Sequence, residues 1–150
     1  AILSVTKNGI YINETCSVEE MNSKSQKYKK VQKGDISYNP HRVNIGSIGV
    51  VPYLHKNMYV PQIYPVFAVR DNCEISPYFF VNLLKKKEYQ VIINDYCLGG
   101  ARANLKMEWL RKIKFIEPST ENKKRFCEYA EKLNKTYEKY LAILSDINNM

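Results

Sequence analysis

The sequence predicts an α+β fold, with an irregular mixed β-sheet domain and short helices over residues 1–118 and one long coiled-coil-type helix over 119–150. Three observations predict it. Short β-branched and aromatic runs broken by Gly and Pro fill the first half. An apolar run with a Ser-Pro start opens at Ser76. From Glu121 to Asn148 there is no Gly or Pro, and apolar residues recur in steps of four and three.

In chain order, Ile10-Tyr11-Ile12 reads as a strand, and Val31 to Tyr38 as a second that Gly34-Asp35 interrupts with a turn or bulge. Val50-Val51 and the run Tyr59 to Val69 continue the pattern. Pro52, Pro61 and Pro65 lack an amide hydrogen and confine these strands to edges or irregular stretches. Ser76 suits an N-cap and Pro77 the first helical position, ahead of Tyr78, Phe79, Phe80, Val81, Leu83 and Leu84. Lys85-Lys86-Lys87 ends this helix, its charges meeting the negative end of the helix dipole. Past Gly99-Gly100, Asn104 caps a short helix reaching Leu110, and Ile113 and Phe115 alternate as a final strand.

Pro118 closes the globular part, and Ser119 or Thr120 caps the long helix. Its apolar series is Phe126, Ala130, Leu133, Tyr137, Tyr140, Leu144 and Ile147, a heptad seam. At about 1.5 Å per residue such a helix projects roughly 40 Å, too far for one small domain to cover. It therefore calls for a partner helix, with folding back on its own domain as the alternative.

Composition narrows the function classes. With 45% hydrophobic and 12% aromatic residues the chain folds rather than staying disordered. Its net charge is +8, and the excess belongs to residues 1–120, which carry 17 Lys/Arg against 10 Asp/Glu, while the remainder carries 6 against 5. A field of that sign attracts nucleic acid or an anionic membrane. No apolar run approaches the roughly 18 residues a membrane span needs. Ala1 to Val5 is too short for the apolar core of a signal peptide, and a start without Met points to a piece of something longer. Cys16, Cys73, Cys97 and Cys127 are widely spaced with no C-x-x-C pair, which favours thiols and a cytoplasmic protein.

Enzymatic readings find little support. An amino-methyltransferase calls for an Asn/Asp-Pro-Pro-aromatic motif, which Asn39-Pro40-His41-Arg42 does not supply. A metal nuclease needs clustered carboxylates, and Glu121-Asn122-Lys123 is a helix start. His41 and His55 have no zinc-ligand partners at a recognisable spacing. No catalytic residue and no metal or cofactor site is assigned.

The most specific stretch runs from Lys33 to Val51. Gly46 and Gly49 let a backbone turn tightly and approach a ligand, while Asn39, His41, Arg42, Asn44 and Ser47 supply donors and acceptors suited to phosphates or base edges. Gly34-Asp35, Asn39, Arg42, Asn44 and Gly46-Ser47-Ile48-Gly49 stand in an order that resembles the specificity subunits of type I restriction–modification systems. The resemblance extends to Leu98–Leu105 and to Trp109–Pro118, and departs from the family at Thr120–Lys123, where a Gln-containing segment is usual.

The resemblance implies a target-recognition domain that reads half of a split duplex DNA site, and a spacer helix that packs against a second one. A methyltransferase (modification) subunit and a restriction subunit would be the partners and would own S-adenosylmethionine, ATP and Mg. Lys27, Lys29, Lys30, Lys33, Lys106 and Arg111 suit phosphates. Arg42 and Arg102 suit guanine, and Asn39, Asn44 or Asn104 adenine. Tyr38, Tyr53 and Trp109 read as core or wall. The chain can equally be a half-subunit that dimerises, a fragment, or the recognition tail of a fused restriction–methylation enzyme. A structural or interaction protein built on its coiled-coil helix, with a non-specific basic face that merely keeps it soluble, is the reading from another class.

Overall fold

The computed structural model describes residues 1–16, 27–52, 56–71, 73–97 and 104–148. Strands β1 (Leu3–Thr6) and β2 (Gly9–Ile12) pair antiparallel across the two-residue loop Lys7-Asn8, closed by Gly9 at φ +128°, a conformation that suits only glycine. Next come β3 (Tyr28–Val31), β4 (Ile36–Tyr38), β5 (Ile48–Val50), β6 (Met58–Pro61) and β7 (Val66–Phe67).

The irregular β-rich domain read from the sequence is built, among the described strands, of three small antiparallel sheets, ordered β1-β2, β3-β6 and β5-β4-β7. The one parallel pairing among them is an isolated bridge, Ile2 to Tyr59. The strands are two to four residues long, and the reason is chemical. The Gln32–Asp35 turn separates β3 from β4, with Gly34 at φ +89°. Pro61 ends β6 and Pro65 precedes β7, neither able to donate to a ladder.

Four helices follow: α1 (Pro77–Leu84), α2 (Lys87–Cys97), α3 (Met107–Leu110) and α4 (Thr120–Asn148). Ser76 caps α1 as its sequence predicts, its side chain accepting from the Tyr78 amide at 3.3 Å. The lysine run ends α1 as read, with Lys85 at its C-cap, and a further helix starts at Lys87. The run is the joint between α1 and α2, where Gln90 Nε2 donates at 2.6 Å to the Leu84 carbonyl left open at the end of α1. Helix α2 buries Tyr89, Ile93 and Cys97 at four-residue spacing.

Two expectations for the following segment fail. Asn104 is not a cap, because α3 starts from Lys106, which makes no side-chain capping bond. Residues 113–115 form no strand. The Ile113 amide donates to Leu110 O at 3.2 Å and that of Ile116 to the Tyr89 hydroxyl at 3.2 Å, so a helix end and a phenol satisfy the segment. The predicted alternation survives as burial: Ile113 is in the core, and Phe115 packs on Phe80 and Tyr89 at ring distances of 4.9 and 5.3 Å.

The core has two parts. The larger gathers Ile36, Tyr38, Val43, Ile48, Leu84, Ile93 and Leu105 between the β5-β4-β7 sheet and helices α1 and α2. The smaller holds Leu3, Val5, Ile10, Val31, Val51, Met58 and Val60 between the other two sheets. Gly49 belongs to the seam between sheets. A Cβ there would meet Ile10 Cγ1 at 2.8 Å and the Ile10 amide nitrogen at 3.3 Å, so the close approach its sequence implies is to β2 and not to a ligand.

Helix α4 opens on Ser119, whose Oγ accepts from the Asn122 amide at 3.3 Å, and spans 29 residues. Its first turns fold back on the chain's own domain: Phe126 meets Phe79 edge-on at 4.9 Å, and Ala130 is buried. From Leu133 onward the seam faces outward, with Leu133 70% and Tyr140 63% exposed. Among the described residues no helix is long and apolar enough to cross a membrane.

Gly49→Ala should destabilise the domain by about 1–3 kcal/mol through overpacking against β2, with Ile10→Val restoring part of the loss. Urea denaturation of the single and double variants checks this; an unaltered midpoint for the single variant would contradict the seam contact.

Candidate nucleic-acid interface

The stretch after β4 is a loop closed on itself. The Asn39 amide donates to Ser47 O at 3.0 Å, that of Arg42 to Asn39 O at 3.0 Å, and that of Ser47 back to Arg42 O at 3.1 Å. A 3-10 turn over Val43–Ile45 plugs Val43 into the core and ends at Gly46, whose φ of +85° answers why glycine stands there. Beneath the loop, Tyr38 is fully buried and donates its hydroxyl to Leu105 O at 2.9 Å, and the Leu105 amide donates to Pro40 O at 2.9 Å. Burial pushes the Tyr38 phenol far up, which keeps it a neutral donor.

These bonds bring together two stretches far apart in sequence, 67 residues separating Tyr38 from Leu105, and place Asn104 and Lys106, both exposed, on either side of a residue hydrogen-bonded to the loop. Beside the loop opens a cleft of about 870 Å³, walled by β1, by Asn13, Thr15 and Cys16, by Tyr28 and Tyr64, and by the loop's Asn39, Arg42 and Ser47. Lys7 and Arg42 supply its charges, and no carboxylate lines it among the described residues. Arg42 is exposed, and its guanidinium makes no hydrogen bond or ion pair among the described residues.

The other predicted residues divide. Asn39 is spent locally, its Oδ1 accepting from the His41 amide at 3.0 Å and its Nδ2 donating to the Tyr64 hydroxyl at 3.0 Å. Asn44 donates to Asn94 Oδ1 of α2 at 3.3 Å, and so ties the loop to a helix. Ser47 is buried with its hydroxyl donated to Val5 O at 2.9 Å, and so anchors the loop to β1. His41 sits exposed at the loop's start.

Strand alternation puts Lys30 on the face of Tyr28, which lines the cleft, and Lys29 on the face of buried Val31. Exposed Lys27 precedes β3, Lys33 occupies the turn before β4, and Arg111 follows α3; none of the three lines the cleft. Arg102 and Tyr53 lie outside the described residues. Trp109 is wall as read: it lies against Tyr96 at 5.4 Å, under the Lys112 ammonium at 4.2 Å. Sequence reasoning missed Lys7, Tyr28 and Tyr64. For Lys7 the signal was present, since Asn8-Gly9 is a hairpin-turn dipeptide between two apolar runs.

The profile of the type I restriction modification DNA specificity domain matches residues 3–149. The chain belongs to this family. None of the curated proteins matches it. A specificity domain's role is DNA sequence specificity in type I restriction–modification, and the match spans the sheets, the closed loop and the long helix together. Among its described residues no group of three His, Cys, Asp or Glu side chains is placed to hold a metal ion.

The inward turn of Ser47 gives a prediction for this specificity domain. Ser47→Ala leaves the buried Val5 carbonyl without its donor and should cost about 1–3 kcal/mol of stability. DNA affinity of the folded fraction should stay at the wild-type value in a filter-binding titration; a drop beyond the unfolded fraction would return Ser47 to the interface.

Proposed function

We propose that the chain is the DNA-reading part of a restriction–modification specificity subunit, and that it directs modification and restriction subunits to their site without catalysing a reaction itself. The observation that carries the reading is the cleft beside the closed loop, with Arg42 and Lys7 on its wall and no carboxylate lining it among the described residues. A rigid loop that projects an unpaired guanidinium over a cationic concavity is suited to a polyanion whose base edges lie within reach. Lys27, Lys29, Lys30, Lys33, Lys106 and Arg111 then serve as phosphate contacts that set affinity and its salt dependence. S-adenosylmethionine, ATP and Mg belong to the partner subunits. The reading sets the protein beside its DNA, in the cytoplasm.

Residues 1–118 act as the reading domain and 119–150 as a spacer. Phe126 and Ala130 fix the helix to the domain. The outward positions Leu133, Tyr137, Tyr140, Leu144 and Ile147 are left to pair with a second helix, in this chain's copy or in a second recognition half, which sets the distance between half-sites. A seam of this exposure also favours the interaction-protein reading, in which pairing happens and sequence reading does not.

Selection of bound duplexes from a randomised pool at moderate salt distinguishes the two. A short fixed motif should emerge, or two copies at fixed spacing where helices pair; sequence-blind or absent binding leaves the interaction protein. Arg42→Ala should weaken binding to the motif by about 1–3 kcal/mol and weaken random duplex less, whereas Lys29→Ala should weaken both alike and lower the salt slope by about one. Equal losses on both duplexes for both variants would refute the division. Leu133→Glu with Leu144→Glu should leave the folded domain intact and abolish any self-association seen by sedimentation.

A further inference from the structure

Asn39 fixes the direction of a proton. Its Oδ1 accepts from the His41 amide, so its Nδ2 faces Tyr64 and donates to the phenol oxygen at 3.0 Å. An oxygen that accepts there sends its own hydrogen elsewhere, and Tyr64 makes no other side-chain hydrogen bond among the described residues. Both Tyr64 and Arg42 line the cleft. The backbone beneath is held: the Tyr64 amide donates to Pro61 O at 2.9 Å, and Pro65 O accepts from Ser37 Oγ at 3.1 Å. Burial raises the Tyr64 pKa and the Arg42 charge offsets part of that, so the phenol remains protonated at neutral pH.

We infer that Tyr64 is a DNA-contacting residue whose hydroxyl, beside the Arg42 guanidinium, forms a donor pair for an acceptor-only group of the DNA. The chemistry is shared by guanine, which presents N7 and O6 together, and by a phosphate. Adenine and cytosine put an amino donor on the same groove edge and would set donor against donor. The inference rests on the DNA-reading function proposed above and sharpens it. With its amide spent on Tyr64, Asn39 orients the phenol and is not the adenine reader its residue type indicates.

The test uses the full chain and the duplex motif recovered by selection, with each guanine in turn replaced by 7-deazaguanine and each phosphate by a methylphosphonate. Tyr64→Phe should bind the parent motif about ten-fold more weakly, the effect of one lost base-edge contact. Its loss should vanish on the single duplex that lacks the acceptor Tyr64 meets: one deazaguanine if the partner is a base, one methylphosphonate if it is a phosphate. Asn39→Asp keeps the His41 contact and gives the phenol an oxygen to donate to, so it should show the same coupling with Tyr64 still in place. Undiminished motif binding by Tyr64→Phe overturns the inference while leaving the reading function intact. A loss that no single DNA substitution absorbs also overturns it, since that marks a merely structural phenol. A pool that enriches no motif removes the reading function and the inference with it.

Discussion

The Tyr38 hydroxyl bonded to the Leu105 carbonyl at 2.9 Å is the contact on which the candidate surface depends. It crosses the larger core, joining β4 to a segment 67 residues further along. Both partners are fully buried, so the bond replaces water that cannot enter, and either group alone would be an unanswered dipole. Pro40 O and the Leu105 amide repeat the link one step outward. The closed loop and the Asn104–Lys106 segment are thereby held at one end of the domain, although the sequence places them far apart.

Charge and burial act together in the cleft. Its wall joins a hairpin turn, a strand end, a closed loop and the turn after β6, and no carboxylate lines it among the described residues. An anion gains more from a lysine and an arginine gathered in such a concavity than from the same charges dispersed over a surface. Neutral donors and acceptors beside them add direction, which charge alone lacks.

What the sequence makes legible is local chemistry. Ser76-Pro77, Ser119 and the Gly34 turn are each recognisable from a few neighbouring residues, and each is found where it was read. Pairings that close over long separations are not legible in this way: β3 with β6, or β4 with β7, follow from the core and not from any neighbour. Helix α2 was hidden by Val91-Ile92-Ile93, a β-branched run whose local preference is for strand and which packing against the core overrules. Ser47 and Gly49 look like ligand-binding residues by type, yet β1 and β2 use the one as an anchor and the other as a gap. Tyr64 carries no motif at all; only the fold shows that Asn39 points at it.

A loop whose ends bond to each other has a further consequence. Its shape is set by backbone hydrogen bonds, by glycine at one position and by the Val43 plug, while the outward side chains Arg42 and Ile45 play little part in holding it. Replacing those two leaves the scaffold's own constraints untouched. The loop can therefore exchange its exposed side chains and keep its shape, much as a tool keeps its handle when the bit is changed.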